Sequence, residues 1–220
     1  MSARAAYRLA VLGVIAVCVV VSYTVVRHRL ANKPPPEPPG PRPAFQLPFP
    51  CGESWTLTTY AGHDDFDIDF FARSGNTGGR TVLASAAGTV TWAGWSATLG
   101  DGKPAPPGSS GTRGGLGYGV IIDHGGGWFT EYGHLAAEPR VRTGDAVGLG
   151  QPLGAVGHTG STTVDHLHYE QLNDRLDANR TRGNGDKVEA VFDGVPSGIT
   201  SDDTSKDQVR TSRNCPPAGP

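Results

Sequence analysis

Residues 164–170 read VDHLHYE and hold two histidines, His166 and His168, on either side of Leu167. In a β-strand, side chains two residues apart project to the same face. The two imidazoles would therefore share one site, while Leu167 faces the opposite side. Imidazoles can bind a metal ion or transfer protons near neutral pH. Taken alone, the pair also fits ordinary core or surface histidines.

A second group of candidate ligands lies in the segment HDDFDIDFF, residues 63–71. Its acidic and apolar residues alternate, which predicts a strand with the carboxylates on one face. His63 and Asp67 would share that face, and Asp69 is the fallback ligand if the register differs by two residues. Two histidines and one carboxylate are a usual ligand set for a hydrolytic zinc ion, with a fourth position for water. A further imidazole, His134, ends the strand that contains YGHL.

The segments HDDFD, YGHL and HLHYE, in this order, resemble the LytM/lysostaphin-like zinc metallopeptidases of family M23. The run GQPLGAVGHTGST at 150–162 is similar to the glycine-rich run that precedes H-x-H in this family. The resemblance covers about residues 55–170. It implies an all-β fold, an antiparallel two-sheet open sandwich with a groove (the duplicated hybrid motif).

The same resemblance assigns the site residues. It implies that His63, Asp67 and His168 bind one Zn²⁺ per chain, and that His134 and His166 flank the bound water. We expect His166 to act as the general base. We expect His134 to support it or to stabilise the oxyanion, and the sequence leaves both roles open.

The implied function is a zinc metalloendopeptidase that hydrolyses peptide bonds in peptidoglycan stems or cross-bridges. Its substrate would be a peptidoglycan peptide, and we expect a monomer. The alternative is a non-catalytic envelope protein that binds peptidoglycan or activates another hydrolase. The presence of all five site residues favours catalysis.

Two acidic residues depart from the family pattern. Asp65 stands where glycine is common, and Asp165 precedes H-x-H where a small residue or proline is common. Either carboxylate could orient a ligand histidine, and Asp65 fits a solvated surface acid at least as well. We expect His124 and His158 to be structural or exposed.

The elements around these residues are predicted to be strands. The chain has 32 glycines and 18 prolines, and the glycines fall between β-type runs, as in a turn-rich β domain. Two strands separated by a turn at Gly88 are predicted at 80–95, a hairpin with a turn at 125–127 is predicted at 117–135, and two short strands are predicted at 144–157. The loop at 96–116 is expected to form one groove wall, and a further hairpin is predicted at 187–194.

The N-terminal part differs in composition. Residues 9–26 are free of charge and just long enough to cross a bilayer as a helix, so residues 1–30 are predicted to be a transmembrane anchor or, alternatively, a signal peptide. The proline-rich segment KPPPEPPGPRP lies in a linker at 31–49. The peptidase domain is predicted at 50–195 and a polar tail at 196–220. The domain would lie in the cell envelope, outside the cytoplasmic membrane, or be secreted.

Charge and cysteines add two constraints. Residues 1–43 contain six of the 19 basic and one of the 21 acidic residues, so the remainder carries a charge near −7. This sign argues against nucleic-acid binding through phosphates. Cys51 and Cys215 are predicted to pair in an exported protein, whereas Cys18 is expected to pack as a small hydrophobic residue.

Overall fold

The computed structural model describes residues 40–63, 66–174, 186–200 and 206–215. The predicted N-terminal anchor at 1–30, the first part of the linker and Asp65 lie outside the described residues. All described residues belong to one compact unit, Pro38–Pro220. Within the described ranges, no helix is long and apolar enough to cross a membrane.

Every regular element in the described part of the chain is a β-strand, so the all-β prediction is confirmed. The strands are β1 (Ser54–Thr59), β2 (Ile68–Ala72), β3 (Thr81–Leu83), β4 (Gly88–Thr98), β5 (Gly114–Asp123), β6 (Trp128–Leu135), β7 (Ala146–Val147), β8 (Pro152–Ala155), β9 (Leu167–Asn173), β10 (Asp186–Val188), β11 (Val191–Phe192), β12 (Val195–Pro196) and β13 (Lys206–Thr211).

The largest sheet of the described residues has nine strands. Eight follow the order β13-β1-β2-β9-β6-β5-β4-β7, and β10 pairs with β9. All strand pairs are antiparallel, as predicted. The described chain has three sheets where two were expected, because β3 pairs only with β8 and β11 only with β12. Val82 of β3 and Leu153 of β8 nevertheless join the same hydrophobic core as the large sheet.

The core begins earlier in the chain than the predicted domain boundary. Phe45, Leu47 and Phe49 fall within the predicted linker but are buried, and the Phe49 ring stacks on Trp55 with centroids 3.5 Å apart. Burying each such side chain contributes roughly 1.5–3 kcal/mol. The core of the described residues therefore extends into the last part of the segment predicted as linker.

The C-terminal segment is also part of the sheet. Strand β13 pairs with β1 along its whole length, from Ser54↔Thr211 to Thr59↔Lys206. Cys51 and Cys215 form the predicted disulfide, with their Cα atoms 4.6 Å apart. The predicted polar tail at 196–220 thus contains an edge strand and a covalent link to the start of the domain.

The segment before β2 departs from its prediction. The strand begins at Ile68, and Phe66 has a φ of 64°, which is left-handed and breaks the extended path. His63 lies in a turn after β1, where its backbone N–H donates to the Tyr60 carbonyl. The alternation that predicted a strand from 63 to 71 holds only for its second half, because the turn interrupts the pleat.

Candidate active site

A groove of about 1430 Å³ runs over one face of the large sheet. Its floor includes residues of β2, β9, β6, β5 and β4, and the segments 113–116 and 161–162 also line it. All five predicted site residues face this groove, together with Asp69 and Glu170: His63, Asp67, Asp69, His134, His166, His168 and Glu170.

Asp69 and His168 form the centre of the site. They are direct cross-strand partners in β2 and β9, and Asp69 Oδ1 lies 3.3 Å from His168 Nδ1. The other ring nitrogen of His168, Nε2, lies 3.0 Å from Glu170 Oε1. The His168 ring is therefore held between two carboxylates on the same face of the sheet.

His63 reaches the centre from the turn between β1 and β2. Its Nε2 lies 3.6 Å from Asp69 Oδ1, and its Nδ1 lies 3.1 Å from Thr59 Oγ1. The ring stacks on Tyr60 with centroids 4.5 Å apart. The hydroxyl and the aromatic ring thus fix the His63 imidazole with Nε2 toward Asp69.

The charges at this centre depend on one another. Burial would raise the pKa of Asp69, but the facing His166 and His168 rings outweigh it and hold the pKa well below its usual range. Burial would lower the pKa of His168, but hydrogen bonds to Asp69 and Glu170 raise the pKa well above its usual value. The pocket therefore stabilises positive charge beside Asp69.

The donor set fits a metal ion. One ligand atom each from His63, Asp69 and His168 lies within 4.8 Å of the others. Ligand atoms about 2.0–2.1 Å from a tetrahedral zinc ion are roughly 3.3 Å apart. The distances from Asp69 Oδ1 to His168 and His63, 3.3 and 3.6 Å, are close to this value.

His134 projects its free nitrogen into the groove from the end of β6. Its backbone is left-handed, with a φ of 61°, and its Nδ1 lies 2.7 Å from the Thr159 carbonyl oxygen. The carbonyl can only accept, so Nδ1 carries the proton and Nε2 has a lone pair. Burial, followed by the neighbouring His168 and His166, lowers the pKa of His134 to about 3.

His166 is oriented in the same way. Its Nδ1 lies 3.0 Å from the Val164 carbonyl oxygen, so Nδ1 carries a proton. Its Nε2 lies 3.3 Å from Asp69 Oδ1. The rings of His134 and His166 have centroids 4.8 Å apart. Two imidazoles whose Nδ1 atoms are held by backbone carbonyls therefore lie side by side, and His166 Nε2 faces the Asp69 carboxylate.

Asp67, the carboxylate predicted as the ligand, points to a different group. Lys187 Nζ lies 2.8 Å from its Oδ1 and 2.9 Å from its Oδ2. Burial and the Glu170 carboxylate raise the pKa of Asp67 to about 7, against the effects of His168 and Lys187. Asp69, the fallback residue, lies between the imidazoles instead of Asp67. The reason is that the turn at Phe66 interrupts the chain before β2 begins at Ile68, so His63 and Asp67 do not lie on one continuous strand.

Residues 66–181 match the sequence model of Peptidase family M23. This range is more than half of the chain. The chain belongs to peptidase family M23. His63 lies just before the matched range, and the M23 match includes the other four predicted site residues.

Relatives within this group carry hydrolase names. The DD-carboxypeptidase/endopeptidase Mpg of Neisseria meningitidis serogroup B is 32% identical over 152 residues, which is 67% of this chain and 25% of that protein. The peptidoglycan DD-endopeptidase ShyA of Vibrio cholerae is 43% identical over 53 residues, 24% of this chain and 12% of that protein. The chain thus spans about a quarter or less of the length of these relatives.

Solved structures with a similar chain path include another M23 protein. The catalytic domain of a mutant of the prophage-encoded M23 protein EnpA from Enterococcus faecalis is 26% identical. The alignment covers 61% of this chain and 87% of that chain, with a TM-score of 0.43.

Of the two acidic departures from the M23 pattern, Asp65 lies outside the described residues, and Asp165 contacts a histidine other than the predicted ligands. Asp165 Oδ1 lies 2.6 Å from His158 Nδ1, and both side chains are about half exposed. This carboxylate therefore holds His158, which was not expected to act, and no described contact joins it to His63 or His168. His124 is structural as expected, since its Nδ1 lies 2.9 Å from the Ala87 carbonyl oxygen and its Nε2 lies 2.7 Å from Thr130 Oγ1.

Several residues that hold the M23 site were missed by sequence reasoning. Glu170 follows the alternation of His166 and His168 on β9, so strand periodicity was a signal for it. Thr59, Thr159 and Lys187 had no local signal, because each reaches the site through a separate segment. Their roles depend on contacts between segments that are distant in the chain.

Proposed function

We propose that this chain is a zinc-dependent endopeptidase that hydrolyses peptide bonds in bacterial peptidoglycan. The observation that carries the proposal is the arrangement around Asp69 Oδ1, with nitrogens of His63, His166 and His168 3.3–3.6 Å away. Membership of family M23 supports peptidase activity. The names of the relatives Mpg and ShyA support peptidoglycan as the substrate.

The metal ligands in this proposal are His63, Asp69 and His168. Bound zinc would supply a Lewis acid that polarises the scissile carbonyl and lowers the pKa of a water molecule. Thr59 and Glu170 hold the outer nitrogens of the two ligand histidines. Such outer partners fix the ring orientation and raise the basicity of the ligand.

The proton transfers fall to His166 and His134. His166 Nε2 lies beside the ligand carboxylate while Val164 holds the proton on Nδ1, so the neutral ring takes a proton from the attacking water at Nε2 and returns it to the leaving amine. His134 Nε2 is also an acceptor while Thr159 holds the proton on Nδ1. His134 can therefore stabilise a negatively charged oxygen only after it has gained a proton, which makes it the supporting group.

The groove suits an extended peptide. Trp92 and Trp95 of β4 line it together with Leu116 and the backbone of Gly114 and Gly115. The predicted loop at 96–116 contributes to this wall, as its residues Ser96 and 113–116 face the groove. A peptide lying across β4 and β5 would bring one of its bonds to the histidines.

The proposed location is the cell envelope, with the domain outside the cytoplasmic membrane. Support comes from the uncharged run at 9–26 and from the disulfide between Cys51 and Cys215, which forms in oxidising compartments. N-terminal sequencing of the mature protein distinguishes a retained anchor from a cleaved signal peptide. A mature chain that begins after residue 26 would mean secretion.

The decisive experiment is digestion of defined peptidoglycan fragments by the purified protein, with mass analysis of the products. The wild type should release peptide fragments, lose activity on chelation and regain it with zinc. The His166→Ala variant should bind zinc but cleave at least about 100-fold more slowly. Equal cleavage by His166→Ala and wild type would contradict the proposal.

The rival function is a non-catalytic envelope protein that binds peptidoglycan or activates another hydrolase. This rival predicts that the wild type and the His166→Ala variant both sediment with purified cell walls, and that neither protein releases peptide. In that case, mixing with a separate hydrolase would raise the rate of that enzyme. The complete set of five histidine and carboxylate positions in the groove favours catalysis over this rival.

A further inference from the structure

A second group of candidate metal ligands adjoins the proposed zinc site. One ligand atom each from Asp67, His168 and Glu170 lies within 4.8 Å of the others. This second cluster shares His168 with the first cluster of His63, Asp69 and His168. His168 Nδ1 faces the first cluster, and Nε2 faces the second, 3.0 Å from Glu170 and 3.7 Å from Asp67.

The ammonium group of Lys187 lies in the second cluster. Its Nζ contacts both carboxylate oxygens of Asp67, at 2.8 and 2.9 Å, and lies 3.2 Å from Glu170 Oε1. Three carboxylate oxygens thus surround one cation. Lys187 comes from β10, which pairs with β9, and its strand partner is Leu172.

The carboxylates around this position favour a cation there. Glu131 of β6 is the cross-strand partner of Glu170, so two carboxyl side chains stand directly opposite each other, an arrangement that is unfavourable when both are ionised. Asp67 and Glu170 are both buried. Without a cation, the cluster would hold several carboxylates away from water, and removing one partner of a buried pair is strongly destabilising.

We propose that Lys187 is a positioning residue that selects where the metal binds. Its ammonium group fills the second cluster, so a divalent ion goes to His63, Asp69 and His168. It also holds the Glu170 carboxylate in place. Glu170 accepts a hydrogen bond from His168 Nε2–H, and this bond orients the ring with Nδ1 toward Asp69. Lys187 lies beyond residue 181, where the family match ends, so this cation is supplied by the C-terminal segment of the chain.

The inference rests on the metal centre of the proposed function, and metal content tests it independently of activity. The full-length chain and its Lys187→Met and Lys187→Arg variants are loaded with zinc, freed of excess metal and analysed for zinc per chain. We expect one zinc in the wild type and in Lys187→Arg, which keeps a cation. We expect two in Lys187→Met, because loss of the ammonium group leaves the Asp67 and Glu170 carboxylates open to a second ion, while His168 binds the first ion through Nδ1 and keeps its Nε2 proton.

Cobalt(II) substitution gives a second readout. The visible spectrum of the Lys187→Met variant should contain a component that is absent from the wild type, since the second cluster has oxygen ligands and a different geometry. One metal per chain and an unchanged spectrum in Lys187→Met would overturn the proposed role of Lys187 but not the metal centre. A wild type that binds no zinc would instead overturn the metal centre.

A labelling experiment on the wild type covers the case in which Lys187→Met does not fold. Lys187 should react with acetic anhydride at least about tenfold more slowly than Lys103, because Lys187 is 27% exposed and pairs with two buried carboxylates, whereas Lys103 is 77% exposed and pairs with the exposed Asp101. Peptide mass analysis at several times gives the two rates. Equal rates for the two lysines would show that the ammonium group does not stay in the cluster.

Discussion

Asp69 Oδ1 and His168 Nδ1 lie 3.3 Å apart across the pairing of β2 with β9. The two residues are 99 positions apart in the chain, yet they are direct neighbours in the sheet. Neighbouring cross-strand residues have Cβ atoms about 4.5–5.5 Å apart, which is short enough for both side chains to hold one ion. The register of two central strands therefore determines the candidate metal site.

Replacement of the two candidate carboxylates separates their roles. We expect Asp69→Asn to weaken zinc binding by more than about 100-fold, because loss of even an outer partner of a ligand costs 10–100-fold. Asp67→Asn should change zinc affinity by less than about tenfold, since Asp67 contacts Lys187. Titration with a competing chelator gives both affinities, and the reverse order would restore Asp67 as the ligand.

Thr159 is expected to support His134 through its backbone. Its Oγ1 accepts from the Tyr118 N–H at 3.0 Å and donates to the Leu135 carbonyl at 2.6 Å. Thr159→Val leaves these buried groups unpaired, which should lower the free energy of unfolding by about 1–3 kcal/mol. We also expect cleavage to slow by about tenfold or more, because the Thr159 carbonyl fixes the proton on His134 Nδ1.

The matched control for this change is Thr159→Ser, which keeps the hydroxyl group. It should restore most of the cleavage rate and keep His134 protonated on Nδ1, as observed by nitrogen NMR of the imidazole. A Thr159→Val variant with the cleavage rate and tautomer of the wild type would show that the carbonyl is held by other contacts.

The disulfide should contribute strongly to stability. It joins residues 164 positions apart, and on the chain-entropy model a loop of this length contributes about 5 kcal/mol. The double variant Cys51→Ser and Cys215→Ser should lose most of this amount in urea unfolding, with β13 opening first because it is the edge strand. Reduced wild type is the control, and equal stability of oxidised and serine forms would contradict the prediction.

His124 should make the domain less stable in acid. Burial lowers the pKa of His124, although the Ala87 carbonyl and Asp123 act in the opposite direction. The unfolded chain, with a pKa near 6.5, then binds more protons between the two values. The free energy of unfolding should therefore fall as pH drops below about 6.5, and the fall from this group ends below its folded pKa.

The measurement compares urea unfolding of the wild type and His124→Gln at pH 7.5, 6.5 and 5.5. The difference between the two proteins should shrink as the pH falls, because the neutral glutamine has no proton to gain. A difference that stays constant with pH would mean that His124 does not titrate on unfolding.

The sequence alone was sufficient for the class of fold and for naming residues that line one groove of the structure. Alternation of apolar and polar residues predicted β4, β5, β6 and β9 near their observed positions, since the side-chain period of two is a local property. The same period identified His166 and His168 as neighbours on one face. The number and positions of the cysteines, together with the expectation of export, were enough to predict the link between Cys51 and Cys215.

Tertiary structure alone decided which carboxylate lies between the nitrogens of His63, His166 and His168. Asp67 and Asp69 have the same parity in the chain, so alternation could not distinguish them. The turn at Phe66 and the register Asp69↔His168 distinguish them in the folded protein. Lys187 then joins Asp67 from β10, a contact over 120 positions that no local pattern encodes. Periodicity identifies the face of a strand, whereas strand register and distant partners depend on the packing of the whole sheet.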